Sequence, residues 1–231
     1  MGLGCPQGPS PACVSPAVPV GCGNNLKEVG LAFLNVQGMK RKLGELEDLL
    51  RGQKLGVMGV AETWLLPGEE VMVEGYKWVG AAREGRVGRG GVGILVSDDY
   101  AVVEEEGEVL GKGFESVWAK ISGEGIKETL VGVVYICPHT KGEILVGMGE
   151  RLVDVVIEKQ REGLEVFVMG DFNAHFDDNH VALDSRASLV GNLSQVAGLV
   201  VMHWQPQVVG KWTWGCESKQ LVVDYVLASE W

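Results

Sequence analysis

Glu165-Val166-Phe167-Val168-Met169-Gly170-Asp171-Phe172-Asn173-Ala174-His175 is an apolar run that ends abruptly in polar side chains. Glu165–Gly170 reads as a strand, and Asp171 then stands where the chain leaves the sheet, so a carboxylate is held rigidly at a sheet edge. The same pattern recurs along the sequence. Leu34-Asn35-Val36-Gln37-Gly38 closes a strand over Val29–Asn35, Val60-Ala61-Glu62-Thr63-Trp64 closes one over Leu55–Ala61, and Val134-Tyr135-Ile136-Cys137-Pro138 closes one over Thr129–Tyr135. Val223-Asp224-Tyr225 lies inside a strand expected over Leu221–Ala228, and further strands are expected at Val92–Ser97, Ser116–Ile121 and Lys211–Trp214. Three stretches carry the helical period instead: Leu43, Leu46 and Leu50; Leu145, Met148, Leu152 and Val155; Leu189, Leu193 and Val196. Many strands and few helices imply a layered α/β domain. Gly-rich turns at Gly85–Gly93 and Gly107–Gly113 join neighbouring strands at short spacing. They favour hairpins and mixed or antiparallel sheets over a doubly wound parallel one.

Composition bounds the function. A chain of 231 residues with 46% apolar and 22% charged side chains buries a substantial core and is neither disordered overall nor a membrane bundle. Its 34 glycines follow no Gly-X-Y period. With 20 Lys and Arg against 31 Asp and Glu, the net charge of -11 argues against gripping nucleic acid by bulk charge, although a local groove can differ in sign. Met1–Leu26 holds no charged residue and five of the eight prolines, so residues 1–27 read as a disordered leader; they lack the basic and unbroken apolar regions of a secretory signal. Asn192, Gln195, Gln205 and Pro206 interrupt the uncharged stretch Ala187–Gly210, which excludes a bilayer span. Cys5, Cys13 and Cys22 have no zinc-site spacing, and Cys137 and Cys216 stand far apart, which reads as free thiols in a reducing, intracellular compartment.

Taken singly, the strand-end residues each have an ordinary explanation. Asn35 before Gly38 can shape a turn, Glu62 can be a solvated loop carboxylate, and Asp171 with Asn173 can form an Asx-turn. Asp224 shares a period-two face with Val222 and Val226, where a charge needs a partner. Together, Asn35, Glu62, Asp171, Asn173 and Asp224 offer the oxygen ligands that a hard divalent cation prefers, Mg2+ first and Mn2+ as its substitute. No His-Glu-x-x-His, Cys-x-x-Cys or Gly-x-x-x-x-Gly-Lys motif competes, and Gly90-Gly91-Val92-Gly93 enters a strand instead of a helix.

The order of these segments resembles the endonuclease/exonuclease/phosphatase superfamily. Asn35-Val36-Gln37-Gly38, Ala61-Glu62-Thr63-Trp64, Gly91-Val92-Gly93-Ile94, Tyr135 with Pro138, Gly170-Asp171-Phe172-Asn173 and Val223-Asp224-Tyr225 carry the likeness, which covers Leu31 to Ala228. Glu62-Thr63-Trp64-Leu65, Asp171-Phe172-Asn173-Ala174-His175 and Trp212-Thr213-Trp214 make it most similar to the apurinic-like endonuclease domains of non-LTR retrotransposons. The resemblance implies a DNase I-like four-layer α/β sandwich: two mixed, largely antiparallel sheets face to face, with helices outside. It also implies phosphodiester hydrolysis. Glu62 would hold the metal with help from Asn35, Asp171 would orient or deprotonate the attacking water, Asn173 would position that group and the phosphate, and Tyr135 would donate to a phosphate oxygen. Two departures stand out. Gln37 occupies a position that is often a second carboxylate or amide near the metal, and the sequence reaches Trp231 without the Ser-Asp-His segment whose His is oriented by the residue matching Asp224. The domain, taken as 28–231, is therefore expected to be incomplete at its C-terminus, less active and less stable than one carrying that segment.

Two basic clusters are candidate substrate contacts. Arg83, Arg86 and Arg89 recur at three-residue intervals in a Gly-rich loop, and Lys40, Arg41 and Lys42 follow Gly38. Trp64, Trp212 and Trp214 are expected in the core, and His175 is expected to face solvent. The first expectation is thus a Mg2+-dependent, DNA-nicking endonuclease domain of a retroelement, acting in the nucleus. The alternatives are an abasic-site nuclease or small-phosphoester phosphatase, and an inactive truncated remnant or binding module.

Overall fold

Alternation along the strands decides which side chains meet between the sheets in the computed structural model. It describes residues 13–14, 18–19, 28–83, 89–105, 113–140, 142–205, 214–216 and 219–229. In chain order the elements are β1 (Cys13–Val14), β2 (Val18–Pro19), β3 (Glu28–Asn35), α1 (Leu43–Gln53), β4 (Leu55–Ala61), β5 (Tyr76–Ala81), β6 (Val92–Ser97), β7 (Ala101–Glu105), β8 (Phe114–Gly123) and β9 (Ile126–Ile136). They continue as α2 (Gly142–Arg161), β10 (Glu165–Asp171), α3 (Ser185–Gln195), β11 (Leu199–Val201), β12 (Trp214–Cys216), β13 (Lys219–Leu221) and β14 (Asp224–Ser229).

The first sheet runs β1-β3-β4-β6-β5, with β2 also pairing β3, and the second runs β11-β14-β10-β9-β8-β7. Each sheet contains one parallel pair, β3 with β4 and β9 with β10, and each pair is joined through a helix, α1 or α2. All other pairs among the described residues are antiparallel. This is what the connections demand, since a parallel return needs a crossover whereas an antiparallel one needs only a turn. The Gly-rich stretches read as hairpin connections do link antiparallel neighbours, β5 to β6 and β7 to β8.

Three cores separate four layers. Leu46 and Leu50 of α1 pack on Met58, Val60 and Leu95 of the first sheet. The alternate positions of that sheet point the other way: Leu31, Phe33, Val57 and Ile94 meet Val131, Val133, Phe167 and Met169 of the second sheet. Leu152 and Val156 of α2, with Leu189 and Leu193 of α3, cover Val134, Val168 and Leu227 on the second sheet's outer face. Each fully buried side chain of this size contributes about 1.5–3 kcal/mol. The order helix, sheet, sheet, helices is the four-layer sandwich.

Several details differ from the sequence reading. Strands β5, β7 and β11 were not expected; β5 and β7 end their sheets and are half exposed, so they lack the apolar runs of the buried strands. The run Leu221–Ala228 is divided, because Val222 and Val223 separate β13 from β14. Val222 packs against the helix-side core, so it does not share Asp224's face; Val226 and Ala228 do. Of the strand expected at Lys211–Trp214, residues 211–213 lie outside the described residues. Within the stretch read as a leader, β1 and β2 pair with β3, and the rest up to Lys27 lies outside the described residues.

Gly170 sets the spacing on which the site depends. A Cβ there would run into the carbonyl oxygen of Val134 on the neighbouring parallel strand, so backbone would have to move. Gly170→Ala is expected to destabilise the fold by about 3 kcal/mol or more, a melting temperature lower by roughly 6–12 °C at this chain length. A thermal melt within about 1–2 °C of the wild type, on the order of measurement scatter, would contradict that packing.

Candidate active site

Parallel strands deliver their carboxyl ends to one edge, and ligand sites in α/β sheets form outside those ends. Here the two parallel pairs face each other. Asn35 ends β3, Glu62 follows β4, Tyr135 stands near the end of β9, and Asp171 ends β10. Odd-numbered positions of β3, β9 and β10 face the inter-sheet core, which sends Asn35, Tyr135 and Asp171 inward from both sheets. Asn35 Nδ2 donates to Glu62 Oε1 at 3.2 Å and to Asp171 Oδ2 at 2.8 Å, so one amide joins carboxylates from two sheets.

Tight backbone geometry holds each group. Gly38 N donates to Glu62 O and Trp64 N to Gly90 O, knitting the loops after β3 and β4 to the entry of β6. Glu62, Trp64 and Asn173 adopt positive φ of 53, 56 and 49°, a left-handed conformation that costs energy in non-glycine residues and persists where surroundings enforce it. Gly38, at φ 101°, leaves room for the Trp64 ring; a Cβ there would lie 2.8 Å from Trp64 Cε3. Trp64 is therefore partly exposed at the site, not in the core as expected, and its Nε1 donates to Glu62 Oε2 at 3.3 Å. Asn173 N donates to Asp171 Oδ1 at 3.0 Å, and Asn173 Nδ2 donates to Ile136 O at 2.9 Å, tying the loop after β10 to β9. Asp224 stands directly opposite Asp171 in the β10–β14 pair, and both are buried.

Electrostatics follow from that burial. Desolvation pushes the Asp171 carboxyl up to about 7, and the negative charge of Glu62 adds to it, while hydrogen bonds from Asn35 and the Asn173 backbone pull the other way. Burial also raises the Tyr135 phenol, with Glu62 and Asp171 contributing, so Tyr135 stays protonated and is an O–H donor at neutral pH. Among the described residues no three His, Cys, Asp or Glu side chains converge as a metal cluster. What converges is two carboxylates and an amide, and Asn35 Oδ1 is buried with no hydrogen-bond partner. An orphaned amide oxygen beside two carboxylates fits a hard cation.

The remaining candidates are more scattered. Lys40 Nζ is ion-paired to Glu69 at 2.6 Å on the surface. Arg89 is exposed, Arg86 lies outside the described residues, and Arg83 is ion-paired with Glu115. His175 does not simply face solvent: its Nδ1 lies 2.7 Å from Asp184 Oδ2, and Asp184 caps α3 through the backbone N–H groups of Arg186 and Ala187. Trp212 lies outside the described residues. Glu115 was not singled out by the sequence reading; extending the strand at Ser116 back by one residue would have placed it on the inward face.

His203 lies outside this chemistry, half-buried beside the Tyr225 ring at 5.8 Å. Burial pushes its imidazole down to about 4 from an ordinary 6.5, so the neutral form is favoured by the fold. Its contribution to stability is whole above about pH 6.5 and is lost as pH falls toward 4. Between about pH 7 and 5 the wild type is expected to lose about 1–2 kcal/mol more stability than His203→Gln. Equal slopes of melting temperature against pH would contradict this.

The profile of the Endonuclease/Exonuclease/phosphatase family matches residues 32–230, the span that contains every residue of this site. The chain belongs to that family. A search of curated proteins finds no significant match. Among solved structures, an AP endonuclease from Leishmania major is 14% identical with a TM-score of 0.65, covering 86% of this chain and 78% of that one. The endonuclease domain of TRAS1, a telomere-specific non-LTR retrotransposon, is 19% identical with a TM-score of 0.62, covering 87% and 84%. The 3' phosphatase NExo from Neisseria, bound to a product DNA hairpin, is 17% identical with a TM-score of 0.66, covering 86% of both chains. At these identities the likeness is one of fold, and it confirms the DNase I-like sandwich.

Proposed function

We propose that the chain is a divalent-metal-dependent phosphodiesterase whose substrate is DNA, and that it nicks one strand as the endonuclease domain of a retroelement. The observation that carries this reading is the Asn35 amide, which gathers Glu62 and Asp171 from two sheets while its own oxygen has no partner. Glu62 and Asn35 would hold the cation, Mg2+ or in its place Mn2+. When bound, it supplies charge neutralisation for a phosphoryl group.

The chain's own residues account for the rest of the chemistry. Asp171, its carboxyl raised toward neutrality, accepts a proton from an attacking water and aims its oxygen at phosphorus. Asn173 keeps Asp171 in place through its backbone N–H and braces the loop through its side chain. Tyr135, held protonated, donates to a non-bridging phosphate oxygen. Asp224, opposite Asp171, is proposed to take part at the edge of the site. Lys40, Arg86 and Arg89 are proposed to meet the DNA backbone outside it, where Lys and Arg contribute affinity without sequence reading.

Supercoiled plasmid tests the reading. The purified chain should convert it to the nicked form in Mg2+ and stop when EDTA is added. Hydrolysis of bis(p-nitrophenyl) phosphate without nicking would move the substrate to small phosphoesters. Failure on both would remove the enzymatic reading.

A further inference from the structure

The second sheet carries four polar residues in one cross-strand row at the edge of the site. Asp224 is opposite Asp171, Asp171 is beside Tyr135, and Tyr135 is opposite Glu115 of β8. Three of them have a part in the reaction above, and Glu115 has none. It shares the inward face with Val117, Ala119 and Ile121, where an acid is costly unless paired. Its partners both come from the other sheet: Arg83, just after β5, donates through Nε to Oε1 in an ion pair, and Gly91, just before β6, donates its N–H to Oε2 at 2.6 Å. Glu115 thus ties the β5–β6 connection down across the gap between the sheets.

The consequence falls on Arg83. Its Cζ lies 5.5 Å from the centroid of the Tyr135 ring, and its Nη2 is buried with no hydrogen-bond partner. Buried polar groups are almost always satisfied, so a guanidinium nitrogen left without an acceptor beside the catalytic phenol is a donor still to be matched. A guanidinium also matches the oxygens of a phosphate in charge and shape.

We propose that Glu115 is a positioning residue that fixes Arg83 across Tyr135, so that the unpartnered side of the guanidinium meets a non-bridging oxygen of the substrate phosphate. This rests on the phosphodiesterase reading. It also removes Arg83 from the set that tracks the DNA backbone: Arg83 is largely buried and its geometry is settled before substrate arrives, whereas a solvated arginine would have to be ordered on binding. A donor preorganised in this way acts most strongly on charge that develops in the transition state, which shows in kcat more than in KM.

The test compares Glu115→Gln, Glu115→Asp, Arg83→Met and the Glu115→Gln/Arg83→Met pair on supercoiled plasmid and bis(p-nitrophenyl) phosphate. Glu115→Gln should lower kcat about 10–100-fold with KM changed less than about 3-fold, and Arg83→Met should lower it at least as far. The double variant should be no worse than Arg83→Met, since the two residues act as one unit, and Glu115→Asp should recover part of the loss. Additive losses, or a raised KM with kcat unchanged, would overturn the proposal. Labelling with phenylglyoxal, read by peptide mass spectrometry, judges the clamp without turnover. Arg83 should be protected in the wild type and labelled readily in Glu115→Gln, and equal rates would overturn it. A wild-type chain inactive on both substrates would instead sink the phosphodiesterase reading, and labelling would still decide the clamp.

Discussion

Asp171→Asn is expected to reduce plasmid nicking in Mg2+ to the level seen in EDTA while leaving the melting temperature unchanged or higher. General-base catalysis accounts for about 10²–10⁴ in rate, and an amide cannot accept the proton. The stability expectation comes from the same burial. With its carboxyl raised to about 7, Asp171 favours the fold most in its protonated form, so that contribution is complete below about pH 4 and is lost as pH rises through 7. At about pH 8 the wild type carries a buried charge that Asn removes, and Asn still presents an oxygen to the backbone N–H of Asn173. Retained cleavage would remove Asp171 from the reaction. A large drop in melting temperature would show that its carboxylate is structural.

Glu62→Gln is expected to abolish the stabilisation that Mg2+ gives the wild type. A ligand that binds only the folded chain raises stability by about 2.7 kcal/mol at a hundredfold excess over its dissociation constant, or roughly 5–10 °C in melting temperature at this length. Glu62 is half-buried and linked to Asn35 and Trp64 by hydrogen bonds that an amide can partly replace, so the metal-free melting temperature should change little. The variant should also lose nicking. A Mg2+-induced shift equal to the wild type's would show that the ion sits elsewhere.

Much of the site was legible because strand chemistry is local. An apolar run ending in Asn, Glu or Asp announces an edge residue, and β3, β4 and β6 fall at or next to the boundaries read from sequence. The parallel pairing that brings Asn35, Glu62, Tyr135 and Asp171 together is not local; it follows from α1 and α2 as crossovers, and only the resemblance to a known family suggested it before the fold was described. Trp64 was read as core because large aromatics usually are, whereas its place depends on Gly38, far back in the chain, leaving space for the ring. Arg83 was read as one of three loop arginines in contact with substrate, since nothing in the loop's own sequence shows that Glu115 waits on the facing sheet. His175 met its partner across a loop closed by the hydrogen bond from Leu183 N to His175 O, a contact with no periodic signature. Strands β5 and β7 were missed for a different reason: at the ends of their sheets they bury little, and their apolar residues form short runs interrupted or followed by Lys77, Glu104 and Glu105 instead of a long one.

Side chains from two sheets are proposed to hold one divalent cation. Crystals of the chain soaked in Mn2+ and measured for anomalous scattering test this most directly. One strong peak is expected within coordination distance of the Glu62 carboxylate and Asn35 Oδ1, adjacent to Asp171, and absent in Glu62→Gln crystals. Manganese bound only at surface carboxylates, with no density between Glu62 and Asn35, would contradict that.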